Sequence, residues 1–142
     1  MSYDLNFWRY LPHATFDPQE VDQQLREHTQ GMADLSTLDR QHLAVYQWLC
    51  DGQPVAGLAE LPIAAMLDRV AQVFAQGWDR QDTVTWEKSS GKGAFQVTHT
   101  SQWFRVDCYG MSGDDMNLLI DVGTAFDCPL FDPQVPKRFD GA

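Results

Sequence analysis

Between Ser2 and Tyr10 apolar and polar positions alternate. Tyr3, Leu5 and Phe7 fall on one side and Asp4, Asn6 and Trp8 on the other, the twofold period of a strand. The period then lengthens. Asp17-Pro18 supplies a side-chain acceptor and a preset φ, a helix start; Val21 and Leu25 lie one turn apart behind it, and the helix is expected to end near Gly31. A second helix is bracketed by Ser36 or Thr37 as cap and Gly52 as terminator, with Leu38, Val45, Trp48 and Leu49 on its apolar side. Asp51 to Leu61 carries Gly and Pro and is a connector. From Pro62 the helical stripe is clearest: Ile63, Met66, Leu67, Val70, Val73 and Phe74 recur every three or four residues and need a sheet or another helix beneath them.

After Thr83 the twofold period returns. TVTWEK, AFQVTHT and WFRVDCYG, separated by SSGKG and SQ, predict a three-strand meander. Phe95 and Val97 face away from Gln96 and Thr98, and Phe104, Val106 and Cys108 away from Trp103, Arg105 and Asp107, so one face is expected to be core and the other wet. Gly113-Asp114-Asp115 begins a last helix through Met116, Leu119, Ile120 and Phe126, its two carboxylates at the positive end of the dipole. CPLFDPQVPKRF is broken by proline and is at most a short edge strand. The expected fold is α+β: an antiparallel sheet, made of the N-terminal strand and the meander, packed against three to four helices in a single domain over residues 1–142.

Composition narrows the class of function. The 142 residues carry a formal charge of −10, and an acidic surface repels phosphate backbones, so nucleic acid is not an expected partner. The opening MSYDLNFWRY lacks a basic stretch followed by an apolar one, and the most apolar run, Leu61 to Phe74, is broken by Asp68, Arg69 and Gln72. A cytoplasmic protein without membrane attachment is expected. Cys50, Cys108 and Cys128 are an odd number without a CxxC pair, which fits reduced thiols.

Candidate chemistry is sparse. His13, His28, His42 and His99 have no metal-binding spacing; His99 and Cys108 on the meander, with Cys128, are the one Cys/His set with a route to meeting, but zinc sites use short-range ligand pairs, so neither metal nor cofactor is expected. Asp114 and Asp115, with Asp121 one or two turns on, suggest a divalent-metal or general-acid site, and Asp107, Asp114 and Asp115 are the candidate carboxylates of a small enzyme with its site between the sheet and the last helix. Helix-start aspartates have a dipole reason to be there, and the expectation is a protein without catalysis. SSGKGAF lacks the spacing of a phosphate loop and leads into a strand, so a hairpin turn accounts for it. Trp8 and Trp103 fall on the polar side of their strands. If exposed there, with Asp4, Glu87 and Asp107 between them, they make an acidic and aromatic face suited to a basic protein.

Four segments carry a resemblance to a known group: SYDLNFW, DGQPVAGLAELPIAAMLDRV, the pair GAFQV and FRVDCYG, and LIDVGTAFDCPLFDPQ. The chain resembles the small acidic bacterial immunity proteins of polymorphic toxin systems, including those of type VI secretion and contact-dependent inhibition. The likeness covers most of the chain apart from the stretch around Gln30 to Leu38 and the last few residues. It implies an inhibitor that binds and occludes one cognate toxin domain and carries no catalytic residues. The chain's acidity suits a toxin with a basic active-site cleft, one acting on nucleic acid or a nucleotide. A non-catalytic adaptor subunit unrelated to toxins is the other non-enzymatic expectation. Strand alternation places the expected contacts at Asp4, Trp8, Glu87, Trp103 and Asp107.

Overall fold

In the computed structural model, residues 2–28 and 35–139 are described. Seven strands form one antiparallel sheet: β1 (Ser2–Phe7), β2 (Trp78–Arg80), β3 (Thr85–Lys88), β4 (Ala94–His99), β5 (Phe104–Tyr109), β6 (Leu130–Asp132) and β7 (Lys137–Phe139). Their order is β2-β3-β4-β5-β1-β6-β7, so the N-terminal strand lies in the interior, between β5 and β6. The helices are α1 (Pro18–His28), α2 (Thr37–Cys50), α3 (Ile63–Val73) and α4 (Gly113–Ala125). This is the expected α+β class, with a wider sheet. β2 is additional, and the proline-broken segment expected to give at most one short edge strand gives two strands, the internal β6 and the edge β7.

The helix starts follow their local chemistry. The Asp17 carboxylate accepts from the Gln19 N–H at 2.9 Å, Ser36 Oγ from Asp39 N–H at 3.1 Å and Ser112 Oγ from Asp115 N–H at 3.1 Å. The chain leaves α2 through Gly52 in the left-handed region at φ 77°, as the expected terminator requires. The end expected near Gly31 lies outside the described residues.

Two cores flank the sheet. On one face Leu5, Phe7, Trp86, Phe95, Val97, Phe104 and Val106 meet Met66, Val70 and Phe74 from the α3 side and Leu119 and Val122 of α4. Phe74 packs its ring on Phe95 at 4.8 Å and on Trp78 at 5.1 Å, so the α3 stripe lies on the meander as expected. On the other face Trp8, Trp103 and Phe131 are covered by Val21 and Leu25 of α1, by Leu43, Val45 and Leu49 of α2, and by Val55 and Leu58 of the connector. The expectation of one core face and one wet face is therefore corrected. Two helix pairs each carry an apolar side, and each pair takes its own side of the sheet. Leu38, assigned to the apolar side of α2, is instead 55% exposed.

Candidate functional site

The α1–α2 layer covers only the β1–β6–β7 side of its face. Over β2 to β5 that face is open: Asp79, Glu87, Gln96, Thr98 and Tyr109 are all exposed there. The ladders fix which residues share it. Asp79 stands opposite Glu87, Glu87 opposite Ala94 and Ala94 opposite Tyr109; one step along, Thr85 faces Gln96, Gln96 faces Asp107 and Asp107 faces Asp4. Four adjacent strands at a spacing of about 4.8 Å make this open face about 14 Å across, with Asp4 of β1 at its border.

Asp4, Glu87 and Asp107 thus share one surface, as strand alternation required. Asp4 and Asp107 are direct cross-strand partners, a like-charge pair that is unfavourable on its own. Arg105 resolves it. Its Nε donates to Asp107 Oδ1 at 2.9 Å, and a terminal nitrogen lies 3.9 Å from Asp4 Oδ2. Asp4 Oδ2 also accepts from Asn6 Nδ2 at 2.9 Å and from the Tyr46 hydroxyl of α2 at 3.3 Å. Partial burial works against the Arg105 charge, but the hydrogen bond to Asp107 and the charges of Asp107 and Asp4 outweigh it and hold the guanidinium above its ordinary pKa. Burial raises the Tyr46 hydroxyl, with the nearby Cys50 and Asp4 adding to it. Burial likewise pushes the Cys50 thiol up, opposed by its hydrogen bond with Tyr46 and by the Arg105 charge. This corner is therefore an anchored network, while Asp79 and Glu87 present carboxylates to solvent.

The two tryptophans are the correction. Trp8 is fully buried and Trp103 is 5% exposed, so neither gives a ring to this surface. Both lie on the polar side of their strands, as expected, but where the α1–α2 layer covers that side. Trp103 Nε1 donates to the buried Asn6 Oδ1 at 3.0 Å, and Trp8 packs on Phe131 at 5.1 Å. The exposed aromatic ring of the face is Tyr109, 49% exposed at the end of β5. It belongs to the same alternating set as Arg105 and Asp107, so the period that placed those residues also places Tyr109.

The other candidates separate in space. Asp107 lies on the open face, whereas α4 packs on the opposite face, so Asp107, Asp114 and Asp115 do not converge between sheet and helix. Asp115 instead pairs with Lys88 Nζ at 2.9 Å, and Asp114 and Asp121 face solvent. His99 stands opposite Phe104 and Cys108 opposite Phe95, towards opposite ends of the β4–β5 ladder, so the His99, Cys108 and Cys128 set is not assembled. Among the described residues no group of three or more His, Cys, Asp or Glu side chains is placed to hold a metal ion. SSGKG forms the β3–β4 turn, closed by the Lys88 N–H donating to the Gly93 carbonyl at 2.8 Å. No helix among the described residues is long and apolar enough to cross a membrane. No family model matches the chain, and no curated protein matches it.

Proposed function

We propose that this protein is an inhibitor of the immunity type, cytoplasmic, which holds a basic toxin domain against its open sheet face and occludes that domain's active-site cleft. The observation that carries the reading is the uncovered β2–β5 surface, where, among the described residues, Asp79, Glu87 and Asp107, with Asp4 at its border on β1, outnumber Arg105 and where Tyr109 supplies an exposed ring. Carboxylates in such an array speed the approach of a basic partner, and an aromatic ring desolvated on contact supplies binding energy. The likeness to immunity proteins and the net charge of −10 agree with it.

The roles divide by position. Glu87 is free to steer the partner, whereas Asp107 and Asp4 are tied to Arg105 and help to set the shape of the surface. The test is co-expression with the product of the adjacent upstream reading frame, scored by relief of growth arrest, followed by surface plasmon resonance. Glu87→Lys is expected to slow association and flatten its salt dependence, and Tyr109→Ala to cost about 2 kcal/mol of affinity if the ring is central to the contact. An unchanged association rate together with unchanged affinity in both variants places the partner elsewhere. Absence of growth rescue by the wild type removes the inhibitor reading itself. Trp103→Ala is expected to act on binding only through the fold.

A further inference from the structure

On the opposite side of the sheet a second feature lies outside that reading. Between α4 and strands β1, β6 and β7 lies a groove of about 450 Å³. Leu5, Leu130 and Phe139 form its strand wall and Met116 and Ile120 its helix wall, with Phe139 half exposed at the lip. These walls are apolar, and the volume suits a small organic molecule.

One group in the groove does not fit a plain apolar slot. Asp132 is 5% exposed and lines it. Its Oδ2 accepts from the Tyr3 hydroxyl at 2.5 Å and its Oδ1 from the Gln134 N–H at 2.9 Å. Both bonds are donated to the carboxylate, and the link to Asp132 is the first cause of the raised Tyr3 pKa, followed by burial. Among the described residues no Lys, Arg or His nitrogen lies within 4.0 Å of this carboxylate. Lys137, its cross-strand neighbour, is exposed and outside that distance. A carboxylate this deeply buried ordinarily has a cation beside it. Here the apolar walls and the unmatched charge specify the missing partner in two parts.

We propose that this groove binds a small organic amine with an apolar stem, the stem lying between α4 and the β6–β7 strands and the ammonium head donating to Asp132. The head forms a charge-assisted hydrogen bond in a place shielded from water, and the stem replaces water against Met116, Ile120 and Leu130. The site is on the face of the sheet away from Glu87 and Tyr109, so it stands or falls separately from the inhibitor reading.

The test is a titration with n-hexylamine, followed by NMR at the Met116 and Ile120 methyl groups, with hexan-1-ol and hexanoate as matched probes of the same stem. The amine is expected to shift both methyl signals saturably, to bind at least about tenfold more tightly than the alcohol, and to outcompete the acid completely. Asp132→Asn is expected to bring the amine down to the level of the alcohol. Ile120→Trp, which fills the groove at a half-buried position, is expected to abolish the shift of the Met116 methyl, the signal still readable in that variant, and it serves should Asp132→Asn fail to fold. Equal affinity for amine and alcohol overturns the proposal, as does amine binding that persists in Ile120→Trp or that shifts Tyr109 in place of the groove methyls.

Discussion

Gly123 shows how one missing methyl group fixes a helix against a sheet. A Cβ built there would stand 2.3 Å from Phe7 Cδ1 and 2.9 Å from the Cys128 carbonyl oxygen. Phe7 is 1% exposed and walled in, so its ring has nowhere to go. In an exposed helix the change from glycine to alanine gains up to about 1 kcal/mol. Here the clash wins, and Gly123→Ala is expected to destabilise the protein by about 1 to 3 kcal/mol in urea unfolding. Phe74 gives the converse case. Its ring is 2% exposed between Trp78 and Phe95, and Phe74→Ala is expected to cost about 3 to 5 kcal/mol by the same measurement. The thiols are also told apart by position. Burial lifts Cys108 to about 12 and Cys128 to about 11, whereas Cys50 is exposed. An aromatic disulfide reagent at neutral pH is expected to label Cys50 first, more slowly than a free cysteine because its thiol is held protonated, and the other two only after unfolding.

At the scale of elements, the helix ends carry a measurable share of stability. Ser112 caps α4 through its bond to the Asp115 N–H, and Asp115 in turn holds Lys88 of β3, so this cap joins a helix start to the meander. Ser112→Ala is expected to lower stability by about 1 kcal/mol, read from the midpoint of chemical denaturation. Such ends were legible in the sequence, because capping is local chemistry: Asp17-Pro18, Ser36 and Gly52 act within a few residues of themselves. Alternation was legible for the same reason, and it put Asp4, Glu87 and Asp107 on one face. What local pattern does not contain is which stretch of that face a distant helix pair covers. Trp8 and Trp103 were expected to be exposed because their strands gave them the polar side, yet the apolar sides of α1 and α2 needed a surface and these tryptophans provide it. Trp78–Arg80 was missed, and one edge strand was expected where Leu130–Asp132 and Lys137–Phe139 form two strands, because three residues are too few to show a period. The groove at Asp132 was illegible because its walls come from β1, α4, β6 and β7, a matter of packing between elements far apart in the chain.

The whole molecule responds to alkali through groups that the core keeps protonated. For Cys108 and Cys128 the folded-state pKa is raised above the ordinary thiol value of 9.0, and burial raises Tyr46 above 10.0. The folded protein retains these protons after the unfolded chain has released them. Their contribution is therefore fully present below about pH 9 and declines as pH rises towards 11 and 12, each unit removing on the order of 1 kcal/mol per thiol. Urea midpoints at pH 8 and pH 10.5 are expected to differ accordingly, and a Cys108→Ala, Cys128→Ala double variant is expected to lose most of that dependence.

The central position of β1 also sets a timetable. Strand β1 is made before the other described strands, yet its neighbours are β5 and β6, and Asn6 meets Trp103 across 97 residues of chain while Tyr3 meets Asp132 across 129. At ordinary elongation rates of about 5 to 20 residues per second, the first strand waits roughly 5 to 20 seconds for β5 to be made. For that interval Leu5, Phe7 and Trp8, all buried in the finished sheet, have no strand to lie against. The growing chain thus carries this apolar segment uncovered until β5 is made, and a chaperone that binds short apolar strands has a target at residues 5–8.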